Sequence, residues 1–179
     1  QGADVGSRGE GASLMPRFYP NNHGATIGSE VSFSPRGDGF KLRRRDPDTM
    51  EYAPTAPYET SGTVLWPSMP MTALKAFWGL AVTADVPTGT DVKLQISTNG
   101  GTTWQWWNGS AWAVTAGVDA ASIADTSANI ATLSVGSRSP RVRAYLSTSD
   151  TDLSPSVQGV CLLVELLQEP QRDAEDSLC

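Results

Sequence analysis

Asn99-Gly100-Gly101-Thr102-Thr103-Trp104-Gln105-Trp106-Trp107-Asn108-Gly109-Ser110-Ala111-Trp112 holds four of the chain's six tryptophans, divided by two Asn-Gly dipeptides. Asn-Gly between apolar or aromatic residues is the strongest short-range hairpin signal, because both central residues of a type I′ turn need positive φ. The stretch therefore reads as a tryptophan-rich β-meander. It points to a β-sandwich module and away from an enzyme built around a cofactor loop.

The same reading extends to both sides. Upstream, residues 91–98 (DVKLQIST) set Val92, Leu94 and Ile96 against Lys93, Gln95 and Ser97, the period of two of a half-buried antiparallel strand. Residues 73–83 (ALKAFWGLAVT) alternate too, with Leu74, Ala76, Trp78, Leu80 and Val82 expected on one side. Thr63 to Trp66 is a short strand stopped by Pro67. Downstream, residues 119–133 (DAASIADTSANIATL) form the helical candidate. Asp119 is expected to cap a first short helix, and Thr126 or Ser127 a second. Arg141 to Ser147 places Val142 and Ala144 opposite Arg143 and Tyr145. Val157 to Leu167 is nearly all apolar and is expected to be central and covered on both faces.

These elements predict an all-β fold. It is a single antiparallel β-sandwich, jelly-roll-like, of about seven strands at turn spacings typical of a sandwich, with one short helical crossover. Three regions are expected: an extended N-terminal arm over residues 1–62, the sandwich over 63–168, and an acidic tail over 169–179. The first region carries six prolines and scattered Gly, Ser and Asn with no sustained periodicity, apart from a short strand near Val31 to Ser34. It also carries anchors such as Leu14, Phe18, Tyr19, Phe33 and Phe40, which pure linkers rarely have.

Charge divides along the same line. The chain has a formal net charge of −6, made of +3 over residues 1–45 and −9 over residues 46–179. A basic arm on an acidic body suits an acidic neighbour, including another copy of the chain. No apolar run is long enough for a membrane span. One histidine, His23, disfavours a histidine-based metal site or a Ser-His-Asp triad. Cys161 and Cys179 do not resemble a disulfide framework, so a reducing compartment is the simpler expectation. P-loop, zinc and dinucleotide spacings are missing, so no catalytic residue, cofactor or metal is expected.

Three motif groups follow one another in order: KLQISTNGGTTWQWWNGSAWAV at 93–114, SANIATL at 127–133, and RVRAYLSTSDTDLSPSVQGVCLLVEL at 141–166. Together they resemble a β-sandwich module of tailed-bacteriophage virion proteins, of neck or collar, tail-accessory or capsid-decoration type, also seen in bacterial surface proteins. The likeness covers about residues 73–167. It implies a virion structural protein, assembled in the host cytoplasm, whose partners are other virion proteins and copies of itself. Neither membrane nor nucleic acid is expected as a partner.

Two sets of residues carry the candidate function. Phe18, Tyr19, Phe33, Phe40, Arg43, Arg44 and Arg45 are expected at a subunit interface, the arginines pairing with carboxylates of a neighbour. Trp106, Trp107, Asn108 and Trp112 are the candidate contacts for a surface glycan, if the module is a carbohydrate binder instead. In that case an exposed indole would stack on a sugar ring. Trp106 and Trp107 must then face opposite ways, as neighbours on a strand do. Two weaker readings compete with turn chemistry. Asp119, Asp125, Asp150 and Asp152 are possible calcium ligands that equally suit loops and caps. Arg36-Gly37-Asp38 is an integrin-type tripeptide within a good turn.

Overall fold

The computed structural model describes residues 26–27, 31–33, 39–44 and 57–167. Antiparallel sheets packed face to face make an all-β sandwich. The strands are β1 (Thr26–Ile27), β2 (Val31–Phe33), β3 (Phe40–Leu42), β4 (Ser61–Leu65), β5 (Leu74–Asp85), β6 (Thr90–Ser97), β7 (Trp104–Trp107), β8 (Trp112–Thr115) and β9 (Ala121–Ser122). A short helix α1 (Ile123–Asn129) and a 3-10 turn (Ile130–Thr132) follow, then β10 (Arg141–Thr148) and β11 (Ser156–Leu166). One sheet runs β1-β4-β10-β6-β7-β8, with β9 also paired to β6. The other runs β2-β3-β11-β5.

The alternation read from β6 and β10 is what the sheet uses. Val92, Leu94 and Ile96 of β6 and Val142, Ala144 and Leu146 of β10 point into the core with Val64 and Trp66. From the facing sheet come Leu74, Phe77, Leu80, Val157, Val160, Leu162 and Val164. Full burial of such side chains contributes about 1.5–3 kcal/mol each.

Strand β5 departs from the expected alternation. Leu74, Phe77 and Leu80 are buried, with Val82 packed beside them, whereas Trp78 is 60% exposed. The register with β11 explains it. Leu163 pairs with Gly79 but Val164 pairs with Phe77, so Trp78 is an extra residue; Lys75 is another, between the Glu165–Ala76 and Leu166–Leu74 pairs. Each bulge flips the pleat by one residue. A strict period of two therefore misplaces Trp78 and Ala76, which the sequence pattern sets on one side with Leu74, Leu80 and Val82.

Strand β11 is central, between β3 and β5. Its outer face is less covered than expected: Cys161, Leu163 and Glu165 are half-buried, and Cys161 is a free thiol. Lys75 Nζ donates to Glu165 Oε1 at 2.7 Å. That hydrogen bond, helped by the lysine's charge and the Trp78 indole and opposed by burial, holds the Glu165 carboxyl below the usual carboxylate range. The pair's small contribution is therefore present at neutral pH and fades as pH falls through that lowered value.

Residues before 63 do not stand apart from the sandwich where they are described. Strand β1 extends one sheet beside β4, and the β2–β3 hairpin extends the other beside β11. Val31, Phe40 and Leu42 are buried core residues, and the Phe40 ring meets Trp66 edge-on at 5.9 Å. This corrects the expectation for Phe40: it packs inside its own chain and is not available at a subunit surface. Arg36-Gly37-Asp38, His23 and the tail expected over residues 169–179 lie outside the described residues.

The helical crossover is present, with different caps. Ser122 is the N-cap, accepting from the Asp125 N–H at 3.0 Å and donating to Asp125 Oδ2 at 2.7 Å. Asp119 instead accepts from Thr115 Oγ1, and Thr126 is buried inside the helix with its hydroxyl on the Ser122 carbonyl. The helix and 3-10 turn pack against β5, β6 and β7, closing one side of the sandwich. Ser122→Ala removes the cap and is expected to cost about 1 kcal/mol. A urea midpoint unchanged from that of the parent chain would show that the cap contributes nothing.

Candidate functional site

The tryptophan hairpin is where the resemblance and the sequence reading converge. Strands β7 and β8 pair Trp104 with Thr115, Gln105 with Val114, Trp106 with Ala113, and Trp107 with Trp112. Directly opposed residues share a face. Trp104 and Trp106 therefore lie on the outer face of the sheet, and Trp107 and Trp112 on the inner one. The expected opposition of Trp106 and Trp107 is observed.

Neither Asn-Gly is a type I′ turn. Gly100, Gly101 and Gly109 carry the positive φ values, and neither Asn99 nor Asn108 does. The asparagines act through their side chains instead. Asn99 Oδ1 accepts from Thr103 N at 2.8 Å and Ser97 Oγ at 2.9 Å. Asn108 Oδ1 accepts from Ser110 N, Ser110 Oγ and Ala111 N, each at 3.0 Å. Such side-chain-closed loops satisfy backbone donors that have no ladder partner. The Asn108 carbonyl oxygen and the Ser110 hydroxyl are thus engaged in closing their own turn.

On the inner face, Trp112 Nε1 donates to Thr132 Oγ1 at 3.1 Å and to the Asn129 carbonyl at 3.3 Å. The Trp107 ring meets Trp112 at 6.0 Å with planes inclined by 71°. This arrangement ties the hairpin to the end of α1. Edge-to-face aromatic pairs contribute about 0.5–1.5 kcal/mol beyond their area.

On the outer face, a polar cluster covers Trp104. The Arg143 guanidinium lies 3.9 Å from the Trp104 ring centroid, and Trp104 is only 7% exposed. Arg143 Nη1 donates to Tyr145 Oη at 3.0 Å and Gln95 Oε1 at 3.2 Å. Gln95 is fully buried, and its Nε2 donates to the carbonyls of Asp119 at 2.7 Å and Gly117 at 3.0 Å. The chain leaving β8 is thereby pinned over the sheet. Sequence reasoning missed Gln95 and Arg143, because a polar residue on the far side of a strand reads as solvent-facing. No sequence signal marks the pair, because the strand register alone sets Arg143 directly against Gln95.

The expected interface residues are not gathered into one place. Arg43 is half-buried, with Nη2 donating to the Val31 carbonyl at 3.5 Å. The Arg44 guanidinium lies 4.3 Å from the Tyr58 ring centroid, where the two residues also form a backbone bridge. Phe18, Tyr19, Arg45 and the Phe33 side chain lie outside the described residues. Asp150 Oδ1 accepts from Asp152 N, and Asp119 and Asp125 are engaged locally as above. Among the described residues no three of His, Cys, Asp and Glu come together. No helix of the described residues is long and apolar enough to cross a membrane.

Comparison with protein families, with curated proteins and with solved structures gives no match for this chain.

Proposed function

We propose that this chain is a structural protein of a tailed-bacteriophage particle, acting by protein–protein assembly through its sandwich faces and N-terminal region. The observation that carries the reading is the state of the tryptophan hairpin. A sugar platform needs indoles lining an open groove with free polar groups beside them. Here Trp104 lies under Arg143, and Trp112 is bonded to the end of α1. Asn108 and Ser110 close their own turn. The aromatic motif thus braces the strand pair against the helix, which disfavours a sugar platform, and the resemblance of residues 73–167 to virion modules supports the assembly reading. The charge contrast between residues 1–45 (+3) and 46–179 (−9) supports the reading, since the basic N-terminal segment of one copy suits the acidic body of the next at close range.

The test is light scattering on the full chain over a range of concentration and salt, together with a glycan array. The expected result is a defined oligomer of the 19.0 kDa chain that weakens as salt rises, with no saturable glycan retention. Saturable glycan binding by a monomer, lost in Trp106→Ala, overturns this reading in favour of a carbohydrate-binding module.

A further inference from the structure

The described strands of the two sheets present four edges, and they are not alike. Strand β1 is two residues long and β2 three. Strand β5 is long but carries bulges at Trp78 and Lys75, an ion pair to Glu165, and the cover of α1 and the 3-10 turn. Bulges, lysines and covering elements are how sheet edges avoid pairing. Among the described residues, the four-residue strand β8 carries no bulge, lysine or proline. Residues 108–118 (NGSAWAVTAGV) contain no charge and no proline, and the β7–β8 register runs without a bulge.

The ladder shows which groups β8 leaves unpaired. Asn108 N–H donates to the Ala111 carbonyl at 3.0 Å, so 108 and 111 form a hydrogen-bonded pair. Gln105 stands opposite Ile96 of β6, so its backbone groups face β6. Alternation then makes Trp106–Ala113 and Trp104–Thr115 the bonded pairs with β8. The N–H and C=O groups of Trp112 and Val114 point away, to an edge that no other described strand pairs. The Val114 side chain beside them is 69% exposed.

We infer that β8 is a self-pairing edge, joined antiparallel to β8 of a second copy about a two-fold axis at Ala113. The inference rests on the assembly reading above. Three features select a second copy as occupant. The open groups recur at i and i+2, so the same strand running the opposite way presents them in register: Trp112 of one copy bonds Val114 of the other, and Val114 bonds Trp112. An isologous contact of this kind closes on itself. The side chains match too, since each Trp112 faces a Val114, an aromatic–β-branched pair. Ala113, one of the smallest side chains, sits on the axis, where the two chains come closest. Finally, residues 46–179 carry −9, and this charge-free strand lets two acidic bodies meet without like charges in register.

The test uses the full chain in sedimentation velocity. The wild type is expected to show a dimer of the 19.0 kDa chain that persists as salt rises, as the unit of the larger salt-sensitive assembly. Ala113→Glu sets two carboxylates against each other across the axis, about 5 Å apart at the backbone, and is expected to weaken this contact at least tenfold. Ala113→Lys is expected to do the same, and an equimolar mixture of the two to restore it as a heterodimer. Val114→Pro removes an edge donor without touching a β7 bond and is expected to give a folded, unpaired form whose cooperative melt no longer depends on protein concentration. Oligomers unaffected by Ala113→Glu overturn the β8 pairing and leave the assembly reading standing. A wild type that stays monomeric also overturns the pairing, and the assembly reading falls with it only if that monomer binds glycans saturably.

Discussion

A chain that begins at Gly62 is expected not to fold. Such a truncation looks harmless from sequence, because residues 1–62 read as an arm outside the sandwich. It removes β1, β2 and β3, and with them Val31, Phe40 and Leu42, which are 0%, 3% and 0% exposed. At roughly 1.5–3 kcal/mol for each buried side chain the loss is about 5–9 kcal/mol, comparable to the roughly 5–15 kcal/mol that holds a typical domain together. It also uncovers the edges of β4 and β11 and exposes the Trp66 ring that Phe40 covers. Near-ultraviolet circular dichroism reads the result: the aromatic signal is expected to be lost. A cooperative melt within a few degrees of the full chain would show that the N-terminal strands contribute little.

Gly39→Ala is expected to be the most damaging single-methyl change near the core. Gly39 has φ of +81°, and an added Cβ would fall on the Val157 carbonyl oxygen and 2.6 Å from Gln158 Cα. Two costs combine. A left-handed backbone costs a non-glycine residue roughly 1–2 kcal/mol, and forcing apart packed backbone adds about 1–3 kcal/mol. The obstacle is backbone, so no rotamer change relieves it, and β3 must move off β11. For a domain of this size the total corresponds to a melting temperature lowered by about 10 °C. Gly109 supplies the control. Its φ is +97° but nothing lies within 4 Å of an added Cβ, so Gly109→Ala is expected to show the conformational cost alone, about 1–2 kcal/mol. Equal losses at the two sites would mean that the close approach to β11 does not matter.

Most of the sandwich was legible because its strands follow a simple rule. In β6 Val92, Leu94 and Ile96, and in β10 Val142, Ala144 and Leu146, alternate along the strand and all are buried. The sequence also marked the β7–β8 hairpin, the helical crossover and the central place of β11. Legibility failed where the rule is broken locally. Nothing in ALKAFWGLAVT announces that Lys75 and Trp78 are extra residues, because a bulge is set by the partner strand and not by the bulged residue itself. Asn99 and Asn108 were recognised as turn formers, but whether an asparagine acts through its φ or its side chain depends on which donors the folded loop leaves unpaired.

The candidate site divides in the same way. That Trp106 and Trp107 face apart follows from strand geometry alone. That Trp104 is covered follows from Arg143, thirty-nine positions away, stacking on it from β10. The β8 edge was half legible: its lack of charge is written in residues 108–118, but only the order of strands makes it the last described strand in its sheet.

The amino-acid sequence by itself determined the class of fold, the faces of its regular strands and the position of its turns, because these depend on periodicity and on residues a few places apart. Tertiary structure alone decided that Phe40 belongs to the core, that Gln95 is buried on the outer face, and that Trp78 points outward. Each of these depends on a partner far along the chain: Trp66 for Phe40, Arg143 and the Asp119 carbonyl for Gln95, and the β11 register for Trp78. Burial is a property of what lies opposite, and a single strand does not carry that information.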